Sequence, residues 1–392
     1  MKKSLLSLMS LSAAAALALS GCAQPPSATN TAGGTTSAAA GTESTPATTE
    51  SSAAATESAP AGAANYKACM VSDAGGFDDK SFNETAHNGM MRAAEELGIK
   101  TNQIESNAEG EYAGNVQSMV DDGCNMVITV GFALATATEA AAKQNPDVKF
   151  TIVDFGSFEG VDNAKGLLFN AAQPAFLAGY AAAAMTQTGT VGTFGGANYP
   201  TVSIFMDGFA EGVKHHNTVK GTDVKGTDVK VIGWDEAAQD GQFIGGNNPF
   251  GDIPGGKNTA NTLIAQGADI ILPVAGPAGA GALQAAQESG GKVNAIWVDA
   301  DGYVSMPDYK ASIITSVQKA MDVAVFEAIK ADIDGGFSSD PYVGTLENGG
   351  VQLAPFHDFE SKLPEGLVAE LDQVKADIIS GAITIASPSQ PK

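Results

Sequence analysis

The chain has 392 residues, a formal net charge of −23 and a single arginine, Arg92. A chain this acidic offers no basic face to a phosphate backbone, which excludes nucleic acid as a partner and disfavours anionic ligands. Its length accommodates two ordinary domains with sizeable cores once the segments that cannot fold are set aside.

Residues 1–22 read as a secretory signal: Lys2 and Lys3 supply the positive start, residues 5–19 the apolar stretch, and Leu-Ser-Gly-Cys the small-residue end. The apolar stretch falls short of the roughly 20 residues that a membrane span needs. Those last four residues resemble a bacterial lipobox. That resemblance implies a lipidated Cys22 as the mature N-terminus, anchoring the chain on the extracytoplasmic face of the cell membrane. Residues 23–65 are almost entirely Ala, Ser, Thr, Gly, Pro and Glu, without an aromatic side chain. Such a segment cannot bury a core and is expected to be a disordered tether. As a flexible coil it would reach on the order of 35 Å, from roughly 5 to 6 Å times the square root of its length.

From Tyr66 onward, short apolar runs alternate with longer helical ones. The candidate strands are 67–73, 125–131, 149–154, 164–170, 189–196, 229–235, 268–276, 293–299 and 311–317. Candidate helices include 81–97, 133–144, 174–186, 258–266, 278–288 and 319–331. Val- and Ile-rich strands separated by amphipathic helices predict parallel sheets covered on both faces. The strands are too many for one comfortable sheet, so two lobes are expected, the second beginning near Ala171. Val-Lys-Gly-Thr-Asp occurs at 219–223 and again at 224–228, which reads as a tandem duplication in a helix-to-strand loop; 245–258 is a loop rich in Gly, Pro and Asn. Cys69 and Cys124 lie in or beside strands. Buried apolar thiols are the plain reading, with a disulfide open to an exported protein.

In open α/β sheets the ligand lies at the carboxyl ends of the strands. Here those ends carry Asp73, Gly131, Asp154, Gly195, Asp235, Gly276 and Asp299. Helix capping and turns account for any one of them, but the full set suits a cleft in which carboxylates accept hydrogen bonds from neutral hydroxyls. Phe82, Phe132, Phe155, Phe176 and Phe205 fall at or near loop–helix junctions, where a ring can stack on a flat ligand. Asp78 and Asp79 precede the helix that carries Phe82 and Asn83 and favour its N-terminus. The four histidines show no metal-ligand spacing, and neither a phosphate loop nor a nucleophile elbow is present. No cofactor is expected.

The run Asp-Ala-Gly-Gly-Phe-Asp-Asp-Lys-Ser-Phe-Asn from Asp73 resembles the basic membrane protein family of lipoproteins, which includes purine nucleoside receptors of ABC transporters. Matching runs begin at Val127, Phe150, Gln173, Ile204, Gly267 and Ser312. The resemblance implies a type I periplasmic-binding-protein-like fold, with two doubly wound parallel-sheet lobes and a multi-strand hinge. On that basis lobe 1 is assigned to 66–170 plus about 302–342, and lobe 2 to 171–301 plus about 343–392. It also implies a non-enzymatic, monomeric protein that delivers a nucleoside, purine favoured, to an ABC permease and ATPase.

Carried over position by position, Asp73 resembles a first-strand pocket carboxylate and Asp154 a second one. Phe82 and Phe205 resemble the two walls of a base sandwich, Asn83 a hydrogen-bonding partner of the base, and Gly276 a close-approach glycine. Asp299 or Asp301 resembles the carboxylate that holds ribose hydroxyls, helped by Lys319. Pro277 and a long 219–257 segment depart from the pattern. The alternatives are a sugar or other polar solute on the same fold, a nucleoside-hydrolysing enzyme that uses the same aspartates, and a sensor or adhesin with a receptor partner.

Overall fold

The computed structural model describes residues 63–220 and 227–391. Cys22, the signal segment, nearly all of the tether and most of the pentapeptide repeat lie outside those residues.

The first lobe runs β1 (Lys67–Ser72), α1 (Phe82–Leu97), β2 (Lys100–Ile104), α2 (Tyr112–Asp121), β3 (Met126–Val130), α3 (Ala135–Gln144), β4 (Lys149–Val153) and β5 (Ala164–Phe169). The chain then enters the second lobe with α4 (Ala172–Met185), β6 (Thr190–Gly195), α5 (Pro200–Lys220), β7 (Lys230–Ile232) and the small antiparallel pair β8 (Trp234–Asp235) and β9 (Asp240–Gly241). It continues through α6 (Ile253–Ala265), β10 (Ile270–Val274), α7 (Ala280–Glu288), β11 (Asn294–Asp299), α8 (Gly302–Ser305) and β12 (Ile313–Lys319). Four elements follow: α9 (Met321–Ile333), β13 (Tyr342–Gly344), β14 (Val351–Leu353) and α10 (Leu367–Ile379).

The strands form two six-stranded sheets of matching topology, β13-β5-β4-β3-β1-β2 and β14-β12-β11-β10-β6-β7. Every pairing in them is parallel except β12 with β14. The central strands β3 and β10 are buried at every residue, as sheets covered by helices on both faces require. In each sheet the chain runs one way from its first strand and then reverses. A crevice for ligand therefore opens at the carboxyl ends of β1 and β3 and of β6 and β10.

The chain crosses between sheets after β5, after β12 and between β13 and β14. This corrects the expected boundary at 302: β12 pairs with β11 and belongs to the second sheet, so the chain returns to the first lobe only at about residue 320. There α9 packs on α1 so closely that a Cβ at Gly89 would collide with the backbone of Asp322. Strand β2 and helices α2, α5 and α10 are not among the candidate elements read from the sequence; β2 has no buried residue and lacks an apolar run.

Cys69 and Cys124 form a disulfide with a Cα separation of 5.9 Å, tying β1 to the turn before β3. The sulfurs are thus both buried and bonded. By the chain-entropy account, closing a loop of this length contributes about 4 kcal/mol. No helix among the described residues is long and apolar enough to cross a membrane.

Candidate functional site

The two crevices face each other across one cavity of about 880 Å³, its mouth included. At its centre lies Lys319, the last residue of β12, where the chain leaves the second sheet. The ammonium is 2.7 Å from Asp154 Oδ2 and 3.5 Å from Asp299 Oδ1, and all three side chains are buried. Asp154 follows β4 in the first lobe and Asp299 ends β11 in the second. Each adopts a positive φ, 65° and 67°, a left-handed conformation that costs energy in a non-glycine residue. The strain turns both carboxylates onto the same ammonium. Burial alone would lower the Lys319 pKa, but Asp154 and Asp299 outweigh it and raise it, so the side chain stays charged. Burial raises the Asp154 pKa, with partial relief from Lys319. Phe82 and Phe205 each place a ring centroid 5.0 Å from the ammonium, one from each lobe.

A second polar group lies at the carboxyl end of β1. Asp73 Oδ1 accepts from Asn83 Nδ2 at 2.8 Å and from the Gly75 amide at 3.2 Å. Gly75 is required here because a Cβ would stand 2.7 Å from the Asn83 amide nitrogen. Gly131, at φ 120°, likewise makes room for Asp73. Asp73 lines the cavity; its desolvation there, reinforced by Asp79 and Asp154, raises its pKa to about 6 against the lowering effect of its hydrogen bonds.

Asp79 caps α1. Its carboxylate accepts from the backbone amides of Ser81, Asn83 and Glu84 at 2.9, 2.8 and 3.0 Å and from Asn83 Nδ2 at 3.1 Å. Asp78 does not share this work: it is exposed and paired with Lys80. Both amide hydrogens of Asn83 are thus directed at carboxylates, while its Oδ1 is buried without a partner.

The mouth is aromatic. Phe132 of the first lobe lies 5.3 Å from Tyr199 of the second, and Tyr199 lies 6.0 Å from Phe250. Ser81 Oγ donates to Asp299 Oδ2 at 3.0 Å, and Trp297 Nε1 donates to the Lys80 carbonyl at 3.4 Å, so the lobes also touch beside α1.

Of the residues expected at a site, Asp73, Phe82, Asn83, Phe132, Asp154, Phe205, Gly276, Asp299 and Lys319 all line this cavity. At Gly276 a Cβ would meet no protein atom within 4 Å. Phe176 and Asp301 do not line it. Phe176 is buried between α4 and α5, where Gly212 approaches its carbonyl and its ring lies 5.4 Å from His215. Helix α4 is apolar on all sides, so no periodicity marks the face its ring takes. Asp301 caps α8 through the Tyr303 amide at 3.1 Å and meets His357 Nε2 at 2.8 Å. Asp235 is exposed on β8. Among the lining residues that the sequence reading did not single out are Glu109, Tyr112, Tyr199, Asn247, Asn248 and Phe250. The last three come from the Gly/Pro/Asn-rich loop, whose composition was the one available signal.

Two sheets that turn their strand ends and a cluster of oriented polar and aromatic side chains onto a shared cleft define a solute-binding protein of the periplasmic type. A family model described as "ABC transporter substrate-binding protein PnrA-like" matches residues 66–231 and 247–388. The chain belongs to that family of substrate-binding proteins. It is 31% identical over 338 residues to the "ABC transporter nucleoside-binding protein BmpA" of Lactococcus lactis subsp. cremoris, covering 82% of this chain and 89% of the relative. It is 30% identical over 329 residues to "Basic membrane protein A" of Borreliella burgdorferi, covering 82% and 88%. An ABC transporter solute-binding protein from Aeropyrum pernix K1 superposes with a TM-score of 0.69 at 27% identity, covering 82% of this chain and 94% of that one. The matched residues omit 232–246, the segment carrying β8 and β9 within the stretch read as unusually long.

Asp79→Ala leaves the α1 amides unpaired and is expected to cost about 2 kcal/mol in urea unfolding, while Asp78→Ala changes stability by less than about 0.5 kcal/mol. An equal effect of the two would show that the cap is misassigned. A carboxyl that binds its proton more tightly in the folded chain favours folding below its unfolded pKa. That advantage fades as pH rises toward the folded value of about 6. Asp73→Asn is therefore expected to be more stable than the parent at pH 7.5, by on the order of 2 kcal/mol, with the gap closing near pH 4. Thermal melts across that range test it, and a gap that widens in acid would refute it.

Proposed function

We propose that this protein is the nucleoside-binding lipoprotein of an ABC importer, held on the extracytoplasmic face of the membrane by a lipid at Cys22, and that it prefers purines. The observation that carries the reading is the joining, in one cavity, of three features: Phe82 and Phe205, one from each lobe, the Asp154–Lys319–Asp299 cluster, and the unpartnered acceptor of Asn83 beside Asp73. A nucleoside answers all three. Its flat base suits the two rings, its sugar hydroxyls both donate to carboxylates and accept from an ammonium, and its ring N–H groups meet the Asp73–Asn83 acceptors.

The preference for purines follows from that last edge. Guanine and hypoxanthine present a ring N–H there, guanine with an amino group beside it. Uracil flanks its N–H with two carbonyl oxygens, which would oppose acceptors. The nucleoside-binding relative from Lactococcus lactis supports the same ligand class. Closure of the lobes is a population shift driven by contacts that only the closed form makes, and delivery to a permease and ATPase follows from the family.

Calorimetric titration of the chain lacking residues 1–22 is expected to show binding of guanosine and inosine, weaker binding of uridine and none of arabinose or galactose. Asn83→Ala should weaken guanosine binding about tenfold or more, the cost of one lost hydrogen bond in a buried site. Binding of sugars without nucleosides would overturn the reading. Cys22→Ser should release the protein from the membrane fraction into the medium; retention there would refute the lipid anchor.

A further inference from the structure

Behind the ligand cavity lies a second compartment of about 760 Å³, its opening included. It shares Phe132, Asp154, Thr201 and Lys319 with the first, so the Asp154–Lys319 pair stands between the two spaces. Beyond that pair the wall is mainly apolar: Phe155, Leu168 and Phe169 from the first lobe and Ile204 from the second. The far side is closed by the C-terminal segment, with Pro388 and Pro391 in the lining. That segment is fastened to both sides of the cleft. Ser387 Oγ donates to Asp207 Oδ2 at 2.6 Å and Ser389 Oγ lies 2.9 Å from Ser203 Oγ, both on α5, while Gln390 Oε1 accepts from Asn170 Nδ2 at 3.1 Å at the end of β5.

We infer that this rear compartment is a subsite for a neutral, apolar group on the sugar of the ligand, so that the protein takes 5′-substituted nucleosides such as alkylthio derivatives. The inference rests on the nucleoside reading above. With the base between Phe82 and Phe205 and the 2′,3′-diol at the carboxylates, C5′ is the position left to carry a group past Lys319. A phosphate there would meet the Asp154 carboxylate, which already occupies the Lys319 ammonium, whereas an alkyl or thioether chain would exchange water for Leu168, Ile204 and Phe155.

Gly156 offers a way to fill this space alone. It lines the rear compartment and not the front one, and a Cβ added to it would meet only Leu168 Cδ1, at an ordinary contact distance of 3.7 Å. In calorimetric titrations with adenosine, 5′-methylthioadenosine and its butylthio homologue, the chain lacking residues 1–22 is expected to bind the thioethers at least as tightly as adenosine. Gly156→Leu should weaken butylthio binding about tenfold or more, the scale of a small apolar group in a pocket. It should leave adenosine within about twofold, which also certifies the fold of the variant, and Gly156→Ala should fall between. Adenosine binding without thioether binding, or an equal loss of both in Gly156→Leu, would overturn the subsite while leaving the nucleoside reading intact. Binding of none of the three overturns the subsite, and the nucleoside reading falls with it only if guanosine is also unbound.

Discussion

The architecture turns on one buried ammonium. Lys319 leaves the second sheet at the point where the chain crosses between lobes, and it is held by a carboxylate from each of them. Removing these three charges from water costs several kcal/mol per ion, and that cost is offset only when the partners converge with good geometry. The left-handed backbone at both Asp154 and Asp299 is the local expense of that convergence. Two carboxylates against one ammonium leave the cluster negative, which suits a neutral ligand rich in hydroxyl donors and opposes an anionic one.

The matching topology of the two sheets explains why the cluster sits where it does. Each sheet reverses its winding beside its first strand, and each reversal opens a crevice at the carboxyl ends. With the crevices facing each other, every loop that follows a central strand is brought toward the same space. The contacts of Ser81 with Asp299, Trp297 with Lys80, and Phe132 with Tyr199 cross that space from one lobe to the other.

The loop between β1 and α1 shows how local chemistry and long-range placement combine. Gly75 is demanded by the side chain of Asn83, Asp79 by the free amides of α1, and Asp73 by the cleft. In one dimension Asp78 and Asp79 favour the helix alike, because adjacent aspartates before a helix are equivalent there. Only the path of the turn sends one inward and the other to solvent. Asp299 and Asp301 pose the same problem, resolved by the left-handed turn at Asp299 that leaves Asp301 free to cap α8.

What the sequence determined by itself was the class of fold, the direction of the strand ends and the residue types gathered there. These follow from short Val- and Ile-rich runs alternating with helical stretches of about 3.6-residue period and from turn chemistry, all of which act within a few residues. Tertiary structure decided which strand joins which sheet, so that β12 falls in the second lobe. It also buried Phe176 between two helices and brought Tyr199 and Phe250 to the mouth of the cleft. Those outcomes depend on contacts between residues tens to hundreds of positions apart. Asp154 and Lys319, 165 residues apart, become neighbours only when two separately wound sheets are set face to face.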